Sequence, residues 1–317
     1  MVHKQKQGTY VSSVAVIVLN WNDYKDTAEC VLSLKRTKYP NIEIILVDNG
    51  SNDGSDIQLE RDFPGLKLIK LQRNGGYAAG NNAGIRFALE RQAEYILILN
   101  NDVVVEPDFL SPMVALAEKN PAAGIVTCKA FFQSKNGRVY CTAGSFSWLR
   151  CAGVALAPRH REYEGEVEYI SGCILLIRRD VFDTVGMLDE RFFMYFEDLE
   201  FSRRVCRHFK LFYTPRGVVY HKSGGGDGWT NYTETYLYYT ARNRFWVFRQ
   251  EQLWYRSYVF LYSLVNALAK SLVVFIHSLS RHGHHKRLRT RLLALWQGLF
   301  DGLFKKPPQQ YAIVKYK

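Results

Sequence analysis

The feature that most constrains the fold is a series of four short apolar runs in the first hundred residues. The runs, rich in Val, Ile and Leu, occupy residues 14–19, 42–47, 66–71 and 95–99. Such runs are typical of strands that are buried on both faces. Helix signals lie between them, for example Asn22 or Asp23 as the N-cap of a helix that ends near Arg36. The segment 74–84, rich in Gly and Asn, predicts a loop before another helix that ends near Arg91. The β-α-β-α-β-α-β order predicts an α/β fold with a mostly parallel sheet flanked by helices.

Polar residues follow two of these runs at the same predicted edge of the sheet. Asp48 opens the sequence DNGSNDGS after the second run, and Asn100, Asn101 and Asp102 follow the fourth run. Ligands of open α/β sheets bind at the carboxyl ends of the strands. We therefore expect these loops to form a site for a polar ligand and a cation. The alternative for Asn-Asn-Asp is a polar turn, since Asn and Asp are good turn formers.

A second acidic group follows an aromatic run in the sequence FFMYFEDLEFSRR at residues 192–204. Glu197, Asp198 and Glu200 fall in the first turn of a predicted helix, where the helix dipole favours anions. The aromatic run predicts an apolar wall beside Asp198, and such a wall raises the proton affinity of a carboxylate, as a general base requires. The alternative, which is strongest for Glu200, is that these acids only stabilise the start of the helix.

His221 ends the apolar strand predicted at residues 218–220 and precedes a glycine-rich loop. It can share one cation with Asp102, and oxygen ligands with a single imidazole suit Mg²⁺ or Mn²⁺. The alternative is a histidine with a purely structural role.

Seven motifs occur in a fixed order along residues 12–250: VIVLNWN, ILVDNGSNDGS, NGGYAAGNNAG, LILNNDV, SGCILLIRR, FMYFEDLEFSRR and VVYHKSGG. This series resembles family 2 glycosyltransferases with the GT-A fold, and within them the bacterial rhamnosyltransferase-like members. The resemblance implies an N-terminal tail at residues 1–13 and a GT-A catalytic domain at residues 14–250. The nucleotide-binding half of that domain would be residues 14–123, and the acceptor half would be residues 124–250.

The resemblance also implies roles for individual residues. Asp48 would accept the N3–H of uracil or thymine, because a carboxylate is an acceptor only. Asp102 and His221 would hold the divalent cation, although Asn100 stands where many relatives carry an Asp. Asp198 would be the catalytic base, supported by Glu197. The remaining residues expected at the nucleotide sugar are Asn20, Asn74, Gly76, Tyr77, Asn81 and Asn101.

The implied reaction is a single displacement with inversion. The donor would be a nucleoside-diphosphate sugar, either dTDP-rhamnose or a UDP-hexose, and the acceptor a hydroxyl of a glycan or of a lipid-linked glycan. Such transfer belongs to cell-envelope polysaccharide assembly. Two alternatives stay open: a degenerate, non-catalytic sugar-nucleotide-binding protein, and a nucleotidyltransferase on a related sheet.

The C-terminal region at residues 251–317 carries eleven Lys and Arg against two acids, so it holds +9 of the net charge of +12. Residues 235–250 predict a helix, and the resemblance implies that Arg242, Asn243 and Arg244 on it approach the site. By charge, Arg242 or Arg244 could bind phosphate, and the alternative is a solvated helix face. Residues 258–279 are long and apolar enough for a membrane span, but Asn266 and Lys270 argue against one. We expect basic amphipathic helices at a membrane surface. The alternative is packing on the catalytic domain or on a second copy in a homo-oligomer.

Residues 1–13 lack an apolar segment typical of a secretory signal, and the six cysteines are scattered without a CxxC pair. Both features favour a cytoplasmic protein, here expected to be peripheral on the inner face of the cell membrane. Nucleic acid is not an expected partner, because no RNP-like, KH or zinc-finger pattern is present and the acidic loops would repel phosphate.

Overall fold

The structure, a computed structural model, describes residues 11–133, 138–140, 142–156, 162–222, 232–280 and 285–305, with side chains except at 277–280 and 285–287. Most of the predicted tail, the glycine-rich loop after Lys222 and residues 306–317 lie outside the described residues. The first half contains β1 Val14–Asn20, α1 Tyr24–Leu34, β2 Ile42–Asp48, α2 Ser55–Asp62, β3 Lys67–Lys70, α3 Gly76–Glu90 and β4 Tyr95–Asn100. These four strands are parallel neighbours in the order β3-β2-β1-β4, which confirms the predicted parallel sheet.

The second half extends the same sheet with strands of both directions. Its elements are β5 Val103–Val105, α4 Leu110–Lys119, β6 Ala123–Phe132, β7 Val139–Tyr140, β8 Ala143–Ser147, β9 Ala152–Ala155, β10 Gly165–Val167, β11 Tyr169–Ile170, β12 Ile174–Arg178, α5 Arg179–Val185, α6 Glu197–Val205 and β13 Lys210–His221. Strand β12 joins β4 in antiparallel fashion, and β6, β13 and β10 follow it outwards. Strands β8, β9 and β11 form a separate small sheet in the described part of the chain.

The strand register places the polar residues of the predicted site side by side. Asn20 lies opposite Asp48, and its neighbour Leu19 lies opposite Asn100. Strand β5 pairs with β13 so that Val103 lies opposite His221. The ends of four strands therefore meet at one edge of the sheet, with apolar cores packed on both faces behind them.

Helix α3 begins earlier than the sequence predicts, because the Gly- and Asn-rich segment 74–84 is helical from Gly76 onwards. Gly76 has φ +88, and a Cβ there would lie 2.3 Å from the carbonyl oxygen of Phe193. Gly80 and Gly84 lie against the side chains of Leu19 and Ile17 on β1. The glycines thus allow this helix to pack closely on its neighbours, whereas the sequence predicts a loop for the segment.

Three helices follow the sheet: α7 Glu234–Val247, α8 Leu253–Ser280 and α9 His285–Phe304. Helices α8 and α9 confirm the predicted C-terminal helical extension. Helix α9 packs closely on α7, where a Cβ at Gly298 would lie 2.3 Å from the carbonyl oxygen of Tyr238. By length and composition alone, the segment Leu253–Ile276 of α8 could also cross a membrane, and 28% of its most apolar window is buried.

Candidate active site

Asp48 ends β2 in a pocket of hydrogen-bond donors and is only 2% exposed. Its Oδ1 accepts from Nδ2 of Asn20 at 2.7 Å and from the hydroxyl of Ser51 at 2.6 Å. Its Oδ2 accepts from the backbone N–H of Ser51 at 2.9 Å. Because an ionised carboxylate offers about four acceptor positions, one remains for a further donor such as a base imide. Asn20 orients the carboxylate of Asp48 and so supports the predicted contact between Asp48 and the nucleobase.

Asn49 is not among the predicted site residues, but it fixes the segment at the start of α3. Its Nδ2 donates to Asn74 Oδ1 and to the carbonyl of Gly76, both at 3.0 Å, and its Oδ1 accepts from the N–H of Gly75 at 3.0 Å. Asn74 also accepts from the N–H of Gly76 at 2.8 Å. The side chain of Asn49 therefore holds the entry to α3 in place beneath the strand ends.

Tyr77 and Asn81 have different surroundings from those predicted for a donor surface. The hydroxyl of Tyr77 donates to the carbonyl of Gly172, and its backbone N–H donates to Phe193. Asn81 is fully buried within α3 and donates to the carbonyl of Tyr77 at 2.9 Å. Asn81 thus contacts the backbone of Tyr77, and its predicted role at the nucleotide sugar stays a prediction.

The Asn-Asn-Asp segment joins β4 to β5, as its position between two apolar runs predicts. Asn101 donates to Asp23 Oδ2 at 3.1 Å and to the hydroxyl of Thr27 at 3.0 Å, so it is bound to the start of α1. Asp102 Oδ1 lies 3.5 Å from Nε2 of the buried His221. The two residues predicted to share a cation are thus neighbours, although 119 positions separate them in the sequence.

Glu197 and Asp198 open α6 in different environments. Asp198 Oδ2 accepts from the Tyr169 hydroxyl at 2.7 Å and from the N–H of Gly172 at 3.0 Å, and its Oδ1 accepts from the N–H of Leu199 at 2.7 Å. Glu197 is buried, and its Oε2 has no hydrogen-bond partner among the described residues.

These environments change the pKa values of both carboxyl groups, Glu197 and Asp198. Burial, followed by the charge of Asp198, raises the pKa of Glu197 to about 8. Burial also raises the pKa of Asp198, but its three hydrogen bonds oppose that rise. Hydrogen bonds to an ionised carboxylate favour the charged form, so Asp198 is the member of the pair that is better suited to be an anion at neutral pH. Tyr169 and Gly172, its partners, were not singled out in the sequence.

The segment before α6 has an unusual backbone. Phe193, Tyr195 and Phe196 have φ of 63, 65 and 73, although none of them is glycine. Non-glycine residues in this region cost on the order of 1–3 kcal/mol each and persist only where the surrounding structure holds them. The fully buried Asn243 of α7 makes the contacts that stabilise this segment. Its Nδ2 lies 3.0, 2.9 and 2.7 Å from the carbonyl oxygens of Phe192, Met194 and Tyr195.

Tyr77 is bonded to the segment that holds Asp198. Its hydroxyl donates to the carbonyl of Gly172, whose N–H donates to Asp198 Oδ2 at 3.0 Å. The next residue, Cys173, accepts from the N–H of Asn100 at 3.1 Å. The segment of Gly172 and Cys173 therefore links the predicted base, the start of α3 and the end of β4, which come from different parts of the chain. Burial is the main reason that the pKa of the Tyr77 phenol is raised well above the ordinary value.

Comparison with known proteins gives consistent matches. Residues 15–186, more than half of the chain, match the family described as glycosyl transferase family 2. An uncharacterized protein, y4gI, of Sinorhizobium fredii is 31% identical over 227 residues, which cover 65% of this chain and 24% of that protein. N-acetylglucosaminyl-diphospho-decaprenol L-rhamnosyltransferase of Mycobacterium tuberculosis is 26% identical over 237 residues, covering 65% of this chain and 76% of that enzyme. The chain thus spans about a quarter of the first relative and three quarters of the second.

Among solved structures, the mannosyltransferase PcManGT from Pyrobaculum calidifontis, in complex with GDP-Man and Mn²⁺, superimposes with a TM-score of 0.59 at 18% identity. The superposition covers 94% of this chain and 89% of that one. At this identity the likeness shows the fold, and the fold is GT-A, as the order of motifs predicts. The match over more than half of the sequence, together with this fold, makes the chain a member of glycosyl transferase family 2.

Proposed function

We propose that this chain is an inverting glycosyltransferase that moves a hexosyl group from a nucleoside-diphosphate sugar to a hydroxyl of a glycan or lipid-linked acceptor. The observation that carries the proposal is the segment of Gly172 and Cys173, which is bonded to Tyr77, to Asp198 and to Asn100 at the end of β4 and so joins the proposed base to the strand ends. In this proposal residues 14–250 form the catalytic domain, with the nucleotide half at 14–123 and the acceptor half at 124–250. Residues 251–317 form the extension.

The proposed chemistry is one displacement at the anomeric carbon. A carboxylate oxygen of Asp198 takes the proton from the acceptor hydroxyl, and that oxygen forms the new glycosidic bond while the bond to the nucleoside diphosphate breaks. Attack from the face opposite the leaving group inverts the configuration. Tyr169, Gly172 and Leu199 orient Asp198 for this step, and the strained segment that Asn243 holds fixes the start of α6.

The residues present fit a divalent cation. Asp102 and His221 supply one carboxylate oxygen and one imidazole nitrogen, 3.5 Å apart. The buried Oδ1 of Asn100, two residues before Asp102, has no hydrogen-bond partner among the described residues. No group of three His, Cys, Asp or Glu that could hold a metal occurs in the described ranges, so diphosphate oxygens and water would complete the coordination. When bound, the cation would neutralise negative charge on the leaving diphosphate.

Both the resemblance and the rhamnosyltransferase relative support a donor such as dTDP-rhamnose, with a UDP-hexose as the second candidate. Uracil and thymine share the N3–H that Asp48 would accept, so this contact does not separate the two bases. The name of the relative also supports a lipid-linked acceptor and hence a place in cell-envelope polysaccharide assembly.

The helical extension supports a peripheral position on a membrane. Leu261, Val265, Leu268 and Leu272 are 55–59% exposed and lie along one face of α8. Large contiguous apolar patches on a protein surface mark interaction sites. The exposed Arg256 and Arg289 lie on the same two helices, α8 and α9, and Asp301, the acid of those helices, is buried and paired with Lys305 at 2.9 Å. An anionic leaflet fits this combination, and the inner face of the cell membrane is the proposed location.

The experiment that tests the proposed function measures release of nucleoside diphosphate from dTDP-rhamnose, UDP-glucose and UDP-galactose. Each donor is incubated with a mixture of lipid-linked and simple glycoside acceptors, with Mn²⁺ or with EDTA. We expect release from one donor that depends on Mn²⁺ and is lost in Asp102→Asn. Release that EDTA does not affect would overturn the cation assignment and keep the transferase. Binding of UDP or dTDP without release from any donor would instead favour a non-catalytic binder.

A further inference from the structure

The hydroxyl of Thr27 lies between the residue proposed to bind the nucleobase and the segment proposed to bind the cation, and it has no role in the proposed mechanism. Thr27 belongs to α1 and is fully buried, as is Asn20 at the end of β1. Its Oγ1 lies 2.9 Å from Oδ1 of Asn20 and 3.0 Å from Nδ2 of Asn101. Asn20 in turn contacts Asp48, and Asn101 directly precedes Asp102. One hydroxyl therefore connects the two parts of the site.

The chemistry of these side chains fixes the direction of the hydrogen bonds. The amide nitrogen of Asn101 only donates, so the Thr27 oxygen accepts from it. The single hydroxyl hydrogen of Thr27 has two acceptors within reach, Oδ1 of Asn20 and the carbonyl of Asp23 at 2.7 Å. The carbonyl of Asp23 also accepts the backbone N–H of Thr27 at 3.4 Å, whereas Asn20 Oδ1 has no second donor among the described residues. Because buried polar atoms need a partner, the hydroxyl hydrogen belongs to Asn20.

The orientation of the Asn20 amide decides what the carboxylate of Asp48 meets. Nδ2 of Asn20 lies 2.7 Å from Oδ1 of Asp48, and 3.2 and 3.0 Å from the hydroxyls of Ser51 and Ser55. The reversed amide would place its oxygen against the carboxylate oxygen, with no hydrogen between two acceptors. The bond from Thr27 therefore stabilises the orientation in which Asn20 donates to Asp48. The donors of the whole chain point the same way, and aligned hydrogen bonds strengthen one another.

We propose that Thr27 is a positioning residue that sets the selectivity of the donor site for a base with an N3–H. It orients the amide of Asn20, and that amide holds the Asp48 carboxylate as an acceptor. Uracil and thymine carry a hydrogen on N3, whereas N3 of cytosine is an acceptor that would face the same carboxylate. This inference rests on the proposed function, since it concerns the nucleotide of the same donor.

The test measures the affinities for UDP, dTDP and CDP by calorimetry in EDTA, so that no cation contributes to binding. Thr27→Val removes the hydroxyl at nearly constant volume, Thr27→Ser keeps a hydroxyl, and Thr27→Cys replaces it with a weak donor. Thr184→Val is the matched control, because the exposed Thr184 hydroxyl bonds at 2.8 Å to the carbonyl four positions earlier, as that of Thr27 does.

We expect Thr27→Val to bind UDP and dTDP about tenfold more weakly, because it weakens one charge-assisted hydrogen bond of the site, and to bind CDP as the parent does. Thr27→Ser and Thr184→Val should match the parent for all three nucleotides. Thr27→Cys should fall between Thr27→Ser and Thr27→Val. The selectivity for UDP over CDP is the decisive quantity, since general damage to the fold would weaken both nucleotides alike.

A double variant separates this role from a purely structural one. Asn20→Ala removes the amide through which Thr27 acts, so the addition of Thr27→Val should cause no further loss of UDP affinity. Unchanged UDP affinity in Thr27→Val, an equal loss for UDP and CDP, or additive losses in the double variant would each overturn the proposal. A parent that binds CDP as tightly as UDP would overturn it as well, whereas release of nucleoside diphosphate from a donor sugar would still support the transferase.

Discussion

At the scale of single residues, the clearest expectation concerns the base. Asp198→Asn keeps the size of the side chain and the hydrogen-bonding capacity of one oxygen, but it removes the charge that accepts the acceptor proton. Because a positioned base contributes on the order of 10²–10⁴-fold, we expect transfer to fall by at least 100-fold. The assay is glycosyl transfer to acceptor at saturating donor, with circular dichroism and nucleotide affinity as controls for folding. Near-normal transfer would remove Asp198 from the proposed mechanism.

Glu197 gives a prediction on stability. Its pKa is about 8 in the folded chain and its ordinary value is 4.5, so the folded state keeps a proton that the unfolded state loses between these pH values. The stabilisation is complete below pH 4.5 and declines as the pH rises towards 8. Glu197→Gln should remove this decline. The difference in free energy of unfolding between the variant and the parent should therefore grow in favour of the variant from pH 5 to pH 8. The size of the pKa shift of Glu197 sets this growth at a few kcal/mol.

Thermal unfolding of Glu197→Gln and of the exposed Glu90→Gln at pH 5, 6, 7 and 8 checks this prediction. The exposed control should follow the parent at every pH. Parallel stability curves for Glu197→Gln and the parent would show that Glu197 is ionised in the folded state, contrary to its burial.

At the scale of elements, the sequence predicts well what local patterns determine. The runs that became β1 and β4 are continuous and apolar, the run of β2 is interrupted only by Glu43, and the acids of α6 lie in a first turn with basic residues in its last turn. Contacts between distant segments have no such local pattern. Tyr169 reaches Asp198 from a separate small sheet, and Asn243 reaches the strained segment from α7. The start of α3 at Gly76 was missed for the same reason, since its backbone is set by Phe193.

The contact between α7 and the strained segment can be tested at Asn243. Asn243→Asp replaces the donor Nδ2 with an oxygen that faces the carbonyl oxygens of Phe192, Met194 and Tyr195. Each lost partner of a buried acceptor costs about 1–3 kcal/mol, so we expect a clear drop in melting temperature. We also expect kcat to fall more than tenfold, because the start of α6 moves. The affinity for free UDP or dTDP should change little, because Asp48 is held by Asn20 and Ser51, which lie outside the strained segment.

The matched control for this variant is Asn41→Asp, which removes one exposed bond from Nδ2 to the carbonyl of Val11 at 2.9 Å. It should leave melting temperature and kcat near those of the parent. A variant Asn243→Asp with reduced stability but unchanged kcat would confine Asn243 to a structural role.

At the scale of the whole molecule, the packing of α8 places its buried lysine and its exposed leucines on different sides of the helix. The basic and apolar composition of residues 251–317 predicts a surface element, but it does not show that Lys270 points inwards. That direction depends on the packing of α8 against Tyr232 and Tyr236. The same packing turns Leu261, Leu268 and Leu272 outwards. Lys270, which argues against a spanning helix in the sequence, is therefore buried, and the leucines are exposed.

The triple variant Leu261→Gln, Leu268→Gln, Leu272→Gln tests this outward face. Burial of a leucine contributes roughly 1.5–3 kcal/mol, so the loss of three should weaken binding to phosphatidylglycerol vesicles by far more than tenfold. The control carries Leu32→Gln, Ile57→Gln and Leu149→Gln, which are equally exposed apolar residues of the catalytic domain. Co-sedimentation should fall with rising salt in the parent, because the basic residues contribute through an electrostatic attraction that salt screens. If the parent does not bind vesicles but forms a dimer, and the triple variant is a monomer, this face is a subunit interface.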